Sequence, residues 1–129
     1  MPTGLPAGTG DVLTAATVNG LVSFSTTTQT ADYTPVSADQ YQMLVLMNKA
    51  TAVNFTIPTN ASVAFPVGTA ITVLNIGAGT CTIKAVTSGT TTISSIGATA
   101  TAPKLRAQYS AATCIKTGTD TWVVVGDLA

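Results

Sequence analysis

Gly77-Ala78-Gly79 lies inside the stretch FPVGTAITVLNIGAGTCTI at 65–83 and repeats the glycine spacing of loops that cradle phosphates. That chemistry needs a third glycine and a following helix, whose N-terminus offers free N–H groups and a positive dipole end to the anion. Position 82 is Thr, and Thr80-Cys81-Thr82-Ile83-Lys84 alternates with the period of a strand. No Gly-Lys-Ser or Gly-Lys-Thr signature follows. The expectation is a tight hairpin connection whose glycines supply φ > 0.

The remaining reactive residue types are few. The chain has no His, and its five acidic residues are all Asp. Ser–His and Cys–His nucleophile pairs and imidazole metal ligands are therefore excluded. Asp32 and Asp39 flank Tyr33-Thr34-Pro35 and invite comparison with a paired-carboxylate site. They stand in turn-forming sequence, where Asp ordinarily bonds backbone N–H groups, and that is the role expected here. Cys81 and Cys114 are too few and too far apart in sequence for a zinc site. They are read as reduced, buried thiols, with a disulfide between them as the alternative. Lys104 and Arg106 are expected to share a strand face opposite Leu105, Ala107 and Tyr109, either solvated or meeting an acidic partner. Trp122 is expected to anchor the core or a subunit interface rather than serve as a ligand platform. No catalytic, cofactor-binding or metal residue is assigned, and the chain is not read as an enzyme.

These residues must be positioned by strands. Thr dominates, Ser and Gly are abundant, and Leu, Lys and Arg are scarce in 129 residues, so an all-β fold is expected. Period-two or continuous apolar runs predict strands at 22–25, 43–47, 53–57, 71–76, 81–86, 91–95, 105–109, 113–116 and 122–125. Residues 43–47 read as buried on both faces. Val53, Phe55 and Ile57 read as core residues, with Pro58 ending their strand. No internal repeat is evident. A small sandwich or barrel over 21–129 follows an arm at 1–20, where Pro and Gly give way to one helical turn near Thr14.

Charged residues make up 8% of the chain, with five cations balancing five anions. Ordinary soluble domains carry about 25%. A neutral, charge-poor surface is weakly protected against association, so coverage by partners is expected. No basic patch favours nucleic acid, and no apolar run is long enough to span a membrane. The N-terminus lacks a cationic start and an apolar core, so no export signal is expected. The sequons at Asn54 and Asn60 are those that chance supplies in so Thr-rich a chain.

Several stretches resemble tailed-bacteriophage virion proteins: FPVGTAITVLNIGAGTCTI, KLRAQYSAATCIKTGTDTWVVVGDLA, and the leader-like GTGDVLTAATVNGL. Residues 41–58, with AVNFTIP, match the same pattern. The first two stretches are similar to a small β domain of capsid decoration (cement) proteins, head spikes and tail-fibre modules, often trimeric. The resemblance implies a homotrimeric structural protein without cofactors, made in the host bacterial cytoplasm and located on the outer capsid surface of the virion. There it would bind the major capsid protein and stabilise the shell by bridging its subunits. Its rival is a short tail-fibre, head-spike or host-surface carbohydrate-binding module, for which Tyr33, Tyr41, Tyr109 and Trp122 are the aromatic candidates, although Tyr109 and Trp122 read as core strand residues. Fibres of this group are usually longer than this chain, which favours decoration.

Overall fold

Alternation of small β-branched and apolar residues produces eight short strands in the computed structural model, which describes residues 25–40, 44–96 and 101–129. They are β1 Thr26–Gln29, β2 Leu44–Met47, β3 Val53–Ile57, β4 Ala70–Asn75, β5 Cys81–Ala85, β6 Thr92–Ser95, β7 Ala111–Gly118 and β8 Thr121–Gly126. A 3-10 turn occupies Ser37–Gln40. The all-β class holds. The expected arm, its helical turn and most of the strand at 22–25 fall outside the described residues.

The strands form a six-stranded sheet in the order β1-β2-β4-β7-β8-β6 and a two-stranded sheet of β3 and β5. Sequence neighbours β2 and β3 belong to different sheets, as do β4 and β5. Each pair is a strand, a corner and a second strand, and the two units lie one on the other. Leu44 stands opposite Thr72 and Val53 opposite Cys81, both in parallel register and both 28 residues on (44 to 72, 53 to 81). The offset never slips across the corner. Segment 44–57 is therefore stacked residue for residue on 72–85, a structural repeat that the sequence does not display.

Glycine makes the corner possible. The Gly77 and Gly79 amides donate to the carbonyls of Met47 (3.1 Å) and Lys49 (2.9 Å), and Val53 N–H donates to Thr80 (2.9 Å). A Cβ on Gly77 would run into the backbone of Lys49, and one on Gly79 into the carbonyl of Thr51. The expected hairpin is thus corrected: β4 and β5 do not pair with each other, and neither glycine has positive φ. These glycines serve close backbone approach, not a left-handed turn.

Further layers are added on either side. Before the repeat, β1 pairs in parallel with β2, and Tyr33 bridges Phe55. After it, the direction reverses. β7 runs antiparallel to β4 in the large sheet, while Lys104 bridges Thr82 on the other side. β8 then pairs antiparallel with β7, and Leu128 meets Leu105.

Side chains from both sheets share one core, including Val45, Val73, Cys114 and Trp122 from the large sheet and Phe55 and Ile83 from the small one. Val53, Phe55 and Ile57 are buried as expected. β2 departs from expectation. Val45 and Met47 are buried while Leu44 and Leu46 are half-buried, so only one face packs into the core. The predicted strand at 105–109 is also corrected: it reduces to bridges at Lys104 and Leu105, followed by a turn in which Tyr109 adopts φ 70°.

Replacing Gly79 with Ala forces a methyl group into the Thr51 backbone and is expected to destabilise the fold by roughly 1–3 kcal/mol, the range for overpacked sites. Gly89→Ala, whose new Cβ meets open space, is expected to stay within about 0.5 kcal/mol of the parent. Urea unfolding of both variants checks this; equal losses would mean that corner stacking is not what requires the glycine.

Candidate functional site

Both glycine amides of the phosphate-like loop, and that of Ile76 before them, are spent on the carbonyls of Met47 and Lys49. Its side is closed by Asn75, whose Nδ2 donates to the Gly79 carbonyl at 3.0 Å. Asn75 is buried, and its Oδ1 has no partner.

Asp32 and Asp39 act separately and locally. Asp32 accepts from the Asn54 backbone N–H (2.9 Å) and from its side-chain amide (3.1 Å). Those two bonds hold its carboxyl below the usual range, with the backbone bond the larger cause. Asp39 is buried and accepts from the Val36 N–H (2.9 Å) and from the Tyr33 hydroxyl (2.7 Å). Burial, reinforced by Asp39, pushes the Tyr33 phenol up to about 12. Tyr33 is thereby committed to its own loop.

Cys81 and Cys114 are both free and buried. Burial pushes Cys81 up to about 11 and raises Cys114 further, so at neutral pH both stay protonated and behave as small apolar side chains. Trp122 lies in the core with its ring edge-on to Phe65, centroids 5.8 Å apart at 89°.

The expected Lys104–Arg106 face does not form, because the chain turns after Leu105. Arg106 instead binds Asp127 through two parallel bonds, Nε–Oδ1 at 2.8 Å and Nη2–Oδ2 at 2.9 Å. Ser110 Oγ donates to the same Oδ2 at 2.7 Å. The Arg106 bond, then the Ser110 bond, draws the Asp127 carboxyl below its ordinary value. Arg106 staples the turn at 106–110 to the end of β8; its fork is already taken by a partner within the chain.

Three features went unread in the sequence. Tyr109, expected in the core, is 72% exposed because its positive φ turns it out of the strand path. An open apolar groove of about 370 Å³ runs between the ends of β6 and β8, with Ile96, Val123, Val125 and Leu128 among its walls. Lys116 is the third, buried against Asn60 and the Phe65 carbonyl at 2.6 and 2.7 Å. A signal for it was available: Lys116 stands two residues from Cys114 on a strand, so period two sends both inward. Among the described residues, no three His, Cys, Asp or Glu side chains converge on a point.

Asp32 and Asp127 both have folded-state pKa values below the ordinary 3.8. A depressed acid contributes stability that is complete above its unfolded value and is lost as pH falls through the folded one. Urea midpoints measured from about pH 6 to pH 2 should therefore fall on the acid side, and Asp32→Asn with Asp127→Asn should flatten that limb. An acid limb as steep in the double variant as in the parent would clear these carboxylates of the effect. Comparison of the chain with protein-family models, with curated proteins and with solved structures finds no match.

Proposed function

We propose that this chain is a capsid decoration (cement) protein of a tailed bacteriophage, a homotrimer that binds the outer surface of the head and bridges major capsid protein subunits. The observation that carries the reading is a surface that combines few charges with exposed large apolar side chains. Ile96 is 86% exposed and Tyr109 72%, with Val36, Val67, Val86 and Val125 also open to solvent. Single exposed apolar residues are ordinary, but Ile96 and Val125 line one continuous groove. The chain's neutrality leaves little charge repulsion between copies.

The sequence motifs behind the resemblance fit this role as scaffold. Phe65 of the F-P-V-G-T stretch packs on Trp122 of the terminal T-W-V-V-V-G-D-L, and Arg106 of L-R-A-Q-Y-S bonds Asp127 of that same terminal stretch. In this reading the two sheets over their shared core form a small β-sandwich, and three copies meet through the β6–β8 groove. A protein that binds only the assembled shell shifts the assembly equilibrium toward it without any catalytic group.

The exposed Tyr109 favours a second reading. With Gln108 beside it, it is an aromatic with a polar neighbour, the kind of surface that binds a host glycan in a fibre or head-spike module.

Copy number per purified virion, measured by quantitative mass spectrometry against the major shell protein, separates the two. Decoration requires a stoichiometry of the same order as the shell protein. A handful of copies, with binding to host envelopes lost in Tyr109→Ala, would transfer the protein to the fibre reading, and absence from virions would end both. Sedimentation of the isolated chain should give three times the 12.9 kDa protomer mass. Ile96→Asp with Val125→Asp should reduce it to one protomer; a parent that sediments as a monomer would remove the trimer from the proposal.

A further inference from the structure

Lys116 is 2% exposed on the inward face of β7, opposite Trp122 in the β7–β8 register. Its Nζ donates to Asn60 Oδ1 at 2.6 Å and to the Phe65 carbonyl at 2.7 Å. Among the described residues no carboxylate lies within ion-pair distance of it, and the ion pair there is Arg106 with Asp127. An ammonium buried without an ion pair is expensive, and hydrogen bonds to neutral acceptors offset only part of that. Burial accordingly lowers the Lys116 pKa, and the more distant charge of Asp120 partly opposes the shift. Burial thus makes the neutral amine easier to form than on an exposed lysine, in a pocket where a carboxamide is held in contact with it.

We infer that Lys116 and Asn60 are the two halves of an intramolecular isopeptide cross-link, formed when the Lys116 amine attacks the Asn60 side-chain carboxamide. The Nζ lone pair forms a bond to Cγ, the Cγ–Nδ2 bond breaks, and its electron pair leaves with Nδ2. One Nζ proton ends on Nδ2, so the products are a secondary amide and ammonia. The proton that the ammonium first gives up passes to solvent water and is taken up again by the released ammonia, which leaves as ammonium. No oxidant, reductant or second substrate enters the balance.

A primary amide is a poor electrophile in water, and the geometry supplies what the solvent does not. Amine and carboxamide are already in contact, so the encounter is intramolecular. Asp120 is the positioning residue. Its Oδ1 accepts the Asn60 backbone N–H at 2.7 Å and the Thr91 hydroxyl at 3.3 Å, while its own carbonyl accepts from Thr92 at 2.8 Å. Asn60 is thus held from the β6–β8 side while Lys116 reaches it from β7. The resulting bond would tie the segment between β3 and β4 to β7 across 56 residues of sequence. The inference stands independently of the decoration reading.

The test is the mass of the full-length purified chain, followed by tryptic mapping. The expected mass is lower than that of the sequence by one ammonia, about 17 Da. With cleavage at Lys49, Lys84 and Arg106, and Lys116 blocked, peptides 50–84 and 107–129 should appear joined. An unmodified mass with free cleavage after Lys116 overturns the inference. So does the same mass loss confined to peptide 50–84, which is an Asn60 succinimide. Lys116→Arg keeps the cation but cannot form the bond, so it should restore the full mass and lower Tm by about 10 °C, as for loss of a long-loop cross-link. Asp120→Ala should reduce the joined fraction at equal folded content by circular dichroism, and Asp120→Asn, which keeps an acceptor for the Asn60 N–H, should recover it. An unchanged fraction in Asp120→Ala removes the positioning role. Should Lys116→Arg fail to fold, the peptide map of the parent still decides.

Discussion

Contact of backbone on backbone at the corner between the two sheets is the constraint on which the rest of the structure depends. Residues 76–80 lie directly on 48–52, so the register set in β2 and β4 is carried without slippage into β3 and β5. A one-residue slip would turn every inward side chain outward. The corner therefore fixes which of Val45, Met47, Val53, Phe55 and Ile57 reach the core, and which partners they meet there. Amides that resemble an anion cradle in one dimension are consumed as ladder donors in three.

The polar residues inside this frame are used to tie layers together. Asn75 closes the glycine corner, Asp39 gathers the Tyr33 hydroxyl and the Val36 N–H, and Lys116 draws the segment between β3 and β4 onto β7. Asn75 ends β4, Asp39 lies in the 3-10 turn, and Lys116 stands within β7 just before its register shift. The Arg106–Asp127–Ser110 group does the same at the surface, joining the turn before β7 to the end of β8. Most of the few charges are thus occupied within the chain. The described surface is otherwise made largely of threonine and other small residues, with a few lysines such as Lys84 and Lys104 and a limited set of apolar side chains that includes Ile96, Tyr109 and Val125. Such a surface is compatible with the decoration role proposed above, in which the chain would adhere to copies of itself and to a repeating lattice. That work asks for shape, persistence and weak contacts repeated many times.

Sequence by itself determined the all-β class, most strand positions, the inward set of β3, the burial of Cys81, Cys114 and Trp122, and the local roles of Asp32 and Asp39. These follow from period-two patterning and turn chemistry, which act over a few residues. Only the tertiary structure decided that Gly77 and Gly79 serve close approach, since the backbone they must clear lies about one layer away in space and 28 residues away in sequence. The repeat was hidden for the same reason. Stacking requires matching backbone register and inward size, and Met47 over Asn75 satisfies both without any likeness of side chain. Leu105–Tyr109 reads as a strand by alternation, yet the bonds from Arg106 and Ser110 to Asp127 turn it, and Tyr109 is carried outward. The inward setting of Lys116 could have been read from its spacing to Cys114 and was not, and its encounter with Asn60 is a long-range contact between chain segments that no local pattern encodes.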